Sequence, residues 1–230
     1  MKDLHRLYYI PGAFFLLATA LDLLGLLFEI PIHEVIKGSL MALLCATTLA
    51  YALPRKADAR ALAVLAGAQL LGLTGDLLLQ GSGFALFVSG MVAFLAGHLL
   101  YINLLGGLSW KGLGWKVWVP ALAVMAALVL LLVRVIGVSG ALFVPMLVYG
   151  FVLMLLIFSA LCGVVRLGGA VWWMLLAGAV LFTGSDAMIA VRKFGGPDTS
   201  LMDFAVMATY LAAQVLLACG IVELICKSDD

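Results

Sequence analysis

Charged residues are scarce in this sequence. Only 11% of its 230 residues are Asp, Glu, Lys or Arg, whereas soluble domains carry roughly 25%. Hydrophobic residues make up 66%, and the mean hydropathy is +1.23. This composition excludes a water-soluble globular protein and indicates a polytopic membrane protein.

Basic runs interleaved with aromatic residues are also missing, and the formal net charge is only +1. Nucleic acid is therefore not an expected partner. The four cysteines lack the paired spacing of zinc or redox motifs, so we interpret them as small hydrophobic residues of the apolar segments. They are Cys45, Cys162, Cys219 and Cys226.

Histidine is rare as well, with three in the chain. Only His98 lies well inside an apolar run, since His5 is in the N-terminal tail and His33 is at the edge of a run. Catalytic zinc usually needs three protein ligands that are rich in His or Cys. If the protein is an enzyme, a metal-dependent mechanism is therefore not favoured. The sequence predicts no metal.

Long apolar runs dominate what the sequence does contain. Runs of about 20 apolar residues bounded by charge, Gly or Pro are typical of transmembrane helices. Eight such runs with short connections predict an all-α integral membrane protein with a single membrane domain over residues 1–230. The predicted spans are 8–29, 33–53, 60–80, 84–105, 117–136, 139–164, 170–191 and 201–225.

The distribution of Lys and Arg predicts the orientation, because cytoplasmic loops are enriched in both. Nine lie on one side of the predicted bundle and three on the other, while Lys37 lies within the second span. We therefore expect both termini in the cytoplasm. The absence of a targeting extension favours a bacterial inner membrane, with the endoplasmic reticulum as the alternative. The nine are Lys2, Arg6, Arg55, Lys56, Arg60, Lys111, Lys116, Arg166 and Lys227, and the three are Arg134, Arg192 and Lys193.

Two aspartates, Asp76 and Asp186, lie inside predicted spans. An ionisable side chain in hydrocarbon costs at least about 2.5 kcal/mol, so such residues usually have a function. A short segment of small residues precedes each aspartate, with Gly75 before Asp76 and Gly184 before Asp186. We expect these small residues to let another helix or a ligand approach the backbone closely. A functional site is the favoured interpretation, and a structural ion pair with Lys or Arg is the alternative.

Other polar side chains occur in most of the spans. His98 and Tyr101 are three residues apart, and Tyr210 and Gln214 are four apart, so each pair projects from one face of its helix. We expect these faces to converge on a shared polar interior. Further polar residues within the spans are Asp22, Lys37, Tyr149 and Ser185.

Each of these residues also has a purely structural interpretation. Asp22 and Lys37 can pair as a tie between helices. A single histidine such as His98 is more often a core residue than a ligand or a base. The tyrosines can be interfacial aromatics, although those of the sixth and eighth spans lie deep for that role.

The two halves of the sequence place polar residues in a similar order. Asp76 and Asp186 are 110 residues apart. Lys37 precedes the first aspartate by 39 residues, and Tyr149 precedes the second by 37. This spacing favours two four-helix parallel repeats with a site at their interface.

The polar motifs resemble those of the YhhN-like family of eight-span membrane proteins, whose vertebrate members are lysoplasmalogenases. The resemblance runs from about Lys37 to Leu217, keeps the family's order and places each motif on the expected helix. Asp22 and residues 227–230 lie outside it. The matching segments are Lys37, 74–76, 97–101, 148–150, 182–186 and 208–214.

This resemblance implies hydrolysis of the vinyl ether bond of a lysoplasmalogen, a lysophospholipid of the membrane, without a cofactor. The products would be a fatty aldehyde and glycerophosphocholine or glycerophosphoethanolamine. Vinyl ethers hydrolyse by rate-limiting protonation of the β-carbon, after which water captures the oxocarbenium ion. Such a site needs a carboxylic acid that is protonated near neutral pH, a carboxylate that stabilises the cation, and a base for the water.

On this interpretation Asp76 and Asp186 are the acid and the carboxylate, in either order. His98 is the expected proton carrier, although its predicted position is deeper in the bilayer than that of the aspartates. Lys37 is expected to bind the phosphate or to hold one aspartate ionised. The expected substrate-binding residues are Lys37, Tyr101, Tyr149, Ser185, Tyr210 and Gln214.

Two other functions fit the same residues. A small lipid or solute transporter would use Asp76 and Asp186 as proton-coupling carboxylates, and the repeat would suit it. A scaffolding membrane protein would leave most of the intramembrane polar residues unexplained. We therefore favour the hydrolase and keep the transporter as the alternative.

Overall fold

Eight long helices account for most of the structure, a computed structural model that describes residues 9–197 and 199–226, without the side chains of residues 33 and 34. All eight are long and apolar enough to cross a membrane, which confirms the predicted all-α membrane protein. Their ends differ from the predicted ones by at most four residues. The helices are α1 (Tyr9–Leu27), α2 (Ile32–Ala52), α3 (Ala59–Gln80), α4 (Phe84–Ser109), α5 (Trp115–Ile136), α6 (Phe143–Arg166), α7 (Ala170–Lys193) and α8 (Ser200–Ile225).

Short polar segments begin and end several of these helices. Asp58 begins α3 and accepts a hydrogen bond from the Ala61 amide at 2.8 Å, and Thr199 caps α8 in the same way. Gly137 ends α5 in the left-handed conformation, with a φ of 79°. These caps satisfy backbone groups that have no partner within a helix. Lys2, Arg6 and Lys227 of the orientation argument lie outside the described residues.

Seven of the helices form a closed ring. Helices α1, α2, α3 and α4 pack against one another in chain order, and α4 packs against α6 rather than α5. Helices α6, α7 and α8 then continue the ring, and α8 closes it against α1. Helix α8 is the most buried and also contacts α2 and α3. Glycines permit the closest approaches: a Cβ at Gly97 would lie 3.2 Å from the carbonyl oxygen of Ala68.

Helix α5 lies outside this ring. It packs chiefly against α6, through a narrow stripe formed by Met125, Val129 and Val133. Most of its remaining apolar side chains are exposed, as expected for a helix that faces lipid on several sides. The chain therefore passes from α4 to α6 through a peripheral helix, which leaves space between α5 and the ring.

Candidate functional site

Asp76 is buried in the centre of the ring, where α3 meets α8. Its side chain is 4% exposed, and its Oδ2 accepts a hydrogen bond of 2.7 Å from the Tyr210 hydroxyl. Gly75 makes room for the adjoining ring of Phe94, since a Cβ at this position would lie 2.6 Å from that ring. The expected close approach at Gly75 is therefore confirmed.

Asp186 lies on α7, where this helix packs against α6. Its Oδ2 accepts a hydrogen bond of 2.6 Å from the Tyr149 hydroxyl of α6. Unlike Asp76, it is only half-buried. No helix approaches Gly184 closely, because a Cβ there would meet no atom of the described residues within 4 Å; the approach of a ligand at this position stays a prediction. Gly184 is exposed on the outer face of α7, so no neighbouring helix uses the space that it leaves.

An aromatic cluster connects the two aspartates. The Phe94 and Phe182 rings lie edge to face at 6.4 Å between centroids, and each contacts the Tyr210 ring at 6.0 and 5.4 Å. Asp76 and Asp186 also interact electrostatically with each other. The helix ring thus brings the two carboxyl groups into one site, although 110 residues separate them in sequence.

His98 lies against this cluster. Its ring centroid is 4.4 Å from that of Phe182 and 5.8 Å from that of Tyr149, with both contacts edge to face. The predicted difference in depth therefore does not separate His98 from the aspartates. The side chain is 1% exposed, and neither ring nitrogen hydrogen-bonds another side chain of the described residues. The His98 side chain thus packs against aromatic rings and is not hydrogen-bonded to either aspartate.

Tyr101 and Gln214 extend the network on the side of Asp76. The Tyr101 hydroxyl donates to Oε1 of Gln214 at 2.7 Å, and the Gln214 amide donates to the Tyr210 hydroxyl at 3.5 Å. Tyr210 donates in turn to Asp76. The two helix faces predicted from their three- and four-residue spacing do converge. Tyr101 and Gln214 are almost fully buried and are hydrogen-bonded to each other, so both lie in the protein interior beyond Tyr210.

Lys37 and Asp22 are the charged neighbours of Asp76, and both act on it electrostatically. Asp22 is fully buried in α1, and Lys37 is half-buried in α2. Ser185, a predicted substrate-binding residue, is also fully buried, and its hydroxyl donates to the Val206 carbonyl oxygen of α8 at 3.0 Å. Ser185 therefore ties α7 to α8.

A cavity of about 410 Å³ opens beside Asp186, between α5 and the ring. Its volume lies within the ~300–1,000 Å³ of small-molecule pockets. Of the residues that line it, only Tyr149, Thr183 and Asp186 carry side-chain oxygen. Asp76, His98 and Lys37 are not among them. One carboxyl group thus faces the cavity, and the other lies behind the aromatic cluster.

Sequence reasoning missed several residues of this site. Thr183 lines the cavity and lies three residues before Asp186, on the same helix face, a spacing that was available from the sequence. Phe182 begins the segment 182–186 on which the family resemblance partly rests, although no role was predicted for it. Phe94 and the cavity-lining part of α5 carry no such signal, because they are apolar residues among many others. Only the packing of the helices identifies them.

Metal ligands do not cluster within the residues that the structure describes. No group of three or more His, Cys, Asp or Glu side chains there is arranged to hold a metal ion. His5 and the side chain of His33 lie outside the described part of the chain. The observed arrangement is therefore two carboxyl groups, each paired with a tyrosine.

The order of these motifs along the helices matches a known family. The YhhN family profile covers residues 32–221, which include both aspartates, His98 and the three tyrosines of the site. The chain belongs to the YhhN family. The predicted resemblance, from about Lys37 to Leu217, is confirmed.

Two curated relatives carry lysoplasmalogenase names. Lysoplasmalogenase TMEM86A of Bos taurus is 32% identical over 161 residues, which cover 65% of this chain and 61% of the relative. Lysoplasmalogenase TMEM86B of Homo sapiens is 31% identical over 157 residues, which cover 67% of this chain and 61% of the relative. The chain thus matches about three-fifths of the length of these relatives. No solved structure matches it.

Proposed function

We propose that this YhhN-family protein hydrolyses the vinyl ether bond of lysoplasmalogens within the membrane, with Asp186 as the general acid. The observation that carries the proposal is the position of Asp186, the one carboxyl group in the wall of a largely apolar cavity among the described residues. A single-chain lipid has this pattern of a long apolar part and one polar, reactive end. The names of the two relatives support the same reaction and favour a hydrolase over a transporter.

The Tyr149 hydrogen bond orients the acid. Tyr149 donates to Oδ2 of Asp186, so Oδ1 is the oxygen that can carry the transferable proton towards the cavity. Asp186 protonates the β-carbon of the vinyl ether, and the double-bond electrons form the new C–H bond. The α-carbon and the ether oxygen then share the positive charge of the oxocarbenium ion.

Asp76 supplies the compensating negative charge. It lies near Asp186 but outside the cavity wall, with Lys37 as the positive charge in its surroundings and Tyr210 as its hydrogen-bond donor. A fixed carboxylate in a region of low dielectric constant stabilises a nearby cation more strongly than it would in water. We therefore assign Asp76 to the stabilisation of the oxocarbenium ion rather than to proton transfer.

Water completes the reaction. After the first step Asp186 is a carboxylate, and it takes a proton from the water that attacks the α-carbon, as the acid residue of retaining glycosidases does. The proton of the hemiacetal hydroxyl is then transferred to the glycerol oxygen and the bond between this oxygen and the α-carbon breaks. This step releases a fatty aldehyde and glycerophosphocholine or glycerophosphoethanolamine. His98 holds the Phe182 and Tyr149 rings in this scheme, and direct proton transfer by His98 is the alternative role.

The test is the release of aldehyde from a lysoplasmalogen by the purified protein in detergent. In D₂O, with the aldehyde reduced as it forms, one deuterium should appear on the carbon next to the carbonyl, since that carbon receives the proton in the first step. A saturated ether analogue should yield no product. Absence of aldehyde, together with uptake of the lipid driven by a pH gradient in liposomes, would instead support a transporter.

A further inference from the structure

Lys193 lies beside the cavity, at the end of α7. It is the last residue of α7, and its side chain is exposed. Its Nζ lies 4.8 Å from the centre of the Phe87 ring, and Phe87 is one of the residues that line the cavity. A cation–π contact therefore holds the amine next to a residue of the cavity wall.

Lys193 and Asp186 lie on the same face of α7. They are seven residues apart, which is two helical turns, with Ala190 between them on the same face. Both Asp186 and Ala190 line the cavity. A rise of about 1.5 Å per residue separates the two Cα atoms by roughly 10 Å along the helix. A positive charge thus lies two helical turns beyond the carboxyl group, at the end of the same helix.

We propose that Lys193 binds the phosphate of the phospholipid substrate. This inference rests on the proposed function, since it takes Asp186 as the residue that meets the vinyl ether. In a lysoplasmalogen the three glycerol carbons separate the ether oxygen from the phosphate ester. The length of this spacer, added to that of the lysine side chain, matches the roughly 10 Å between the Cα atoms of Asp186 and Lys193 along α7. The apolar chain then lies along the cavity wall towards the lipid-facing helix α5.

Three other basic residues have contacts away from the cavity. Arg134 of α5 lies over the Phe143 ring, 5.5 Å from its centre, and Phe143 does not line the cavity. Arg192, next to Lys193, forms an ion pair with Asp203 of α8. Lys37, the residue predicted from sequence to bind the phosphate, acts electrostatically on Asp76 and does not line the cavity. Lys193 is in the small group of three basic residues assigned to the non-cytoplasmic side, so the headgroup would lie in that leaflet.

The test compares ligands with and without phosphate on Lys193→Gln, Lys193→Arg and the control Lys116→Gln, an exposed lysine at the opposite end of the bundle. Binding of 1-O-hexadecyl-lysophosphocholine, which lacks the vinyl bond, is measured beside binding of 1-O-hexadecylglycerol. Lys193→Gln should weaken phospholipid binding about tenfold, the loss expected for one charge-assisted contact. It should leave binding of the glycerol ether unchanged, and Lys193→Arg should retain most of the affinity.

Hydrolysis of lysoplasmalogen and of the corresponding alkenylglycerol is then followed on the same proteins. Lys193→Gln should raise KM about tenfold for the phospholipid alone, with kcat within a factor of two of wild type. Equal weakening of both ligands, or no weakening of either, would overturn the phosphate site and indicate a lysine that only anchors α7 at the membrane surface. Selective loss of phospholipid binding in a protein that releases no aldehyde would support the phosphate site while contradicting the proposed reaction.

Discussion

Replacement of Asp186 by Asn tests the assignment of the acid most directly. The amide has nearly the shape of the carboxyl group and keeps an oxygen that can accept the Tyr149 hydrogen bond, now 2.6 Å long. The helix packing should therefore survive. What is lost is the proton that the vinyl ether needs, since an amide is not a general acid under these conditions.

The size of the effect follows from the role. A positioned general acid contributes about 10²–10⁴-fold to the rate, which corresponds to roughly 3–5 kcal/mol of activation free energy. Asp186→Asn should lower kcat for aldehyde release by this factor and change KM little, because the apolar wall that binds the chain is intact. Asp76→Asn should have a smaller effect, about 10–100-fold, because a charge behind the aromatic cluster acts through space.

The assay is aldehyde release by purified variants whose thermal unfolding in detergent matches that of wild type. Glu223→Gln is the matched control, since it makes the same chemical change on an exposed face of α8 and should retain full activity. The reasoning is refuted if Asp186→Asn keeps more than about a tenth of the wild-type kcat. An Asp76→Asn variant that is the more severely impaired of the two would reverse the roles of the aspartates.

Two further predictions use matched pairs of positions. Gly75→Ala should destabilise the protein by about 1–3 kcal/mol and lower its activity, because the new Cβ would lie 2.6 Å from the Phe94 ring. Gly184→Ala should be tolerated, because no atom of the described residues lies within 4 Å of the new Cβ. Thermal unfolding in detergent checks this pair, and equal Tm shifts would contradict it. Leu132→Trp should raise KM about tenfold by filling the cavity that Leu132 lines, whereas Leu130→Trp, on the same helix but outside the lining, should not. Equal KM values for the two tryptophan variants would show that the substrate does not use the cavity.

Much of the architecture could be predicted from local sequence. Each transmembrane helix is marked by its own run of apolar residues, because every backbone group of a helix in lipid is satisfied within that segment. Two ends were less accurate. Helix α4 continues through two glycines to Ser109 rather than ending at 105, and α6 begins at Phe143, after a short 3₁₀ turn, rather than at 139.

The site was predictable in its residue types but not in their arrangement. The cost of burying charge in hydrocarbon identified Asp76 and Asp186 as candidates without any knowledge of packing. The spacing of Tyr210 and Gln214 predicted a common face, and the structure shows both in one hydrogen-bond network. The same reasoning expected a helix or a ligand close to Gly184, and no helix of the described residues approaches it, because a small residue in the sequence does not reveal which face of its helix is covered.

By itself, the sequence determined the membrane class, the number of helices and the two carboxyl groups, since hydropathy and burial cost are properties of single segments and residues. The tertiary structure alone decided that α4 packs against α6, that α5 lies outside the ring, and that Asp186 rather than Asp76 faces the resulting cavity. These facts depend on contacts between helices distant in sequence. Apolar helices in lipid are selected by shape and close packing rather than by hydrophobic pattern, so their neighbours cannot be inferred from composition.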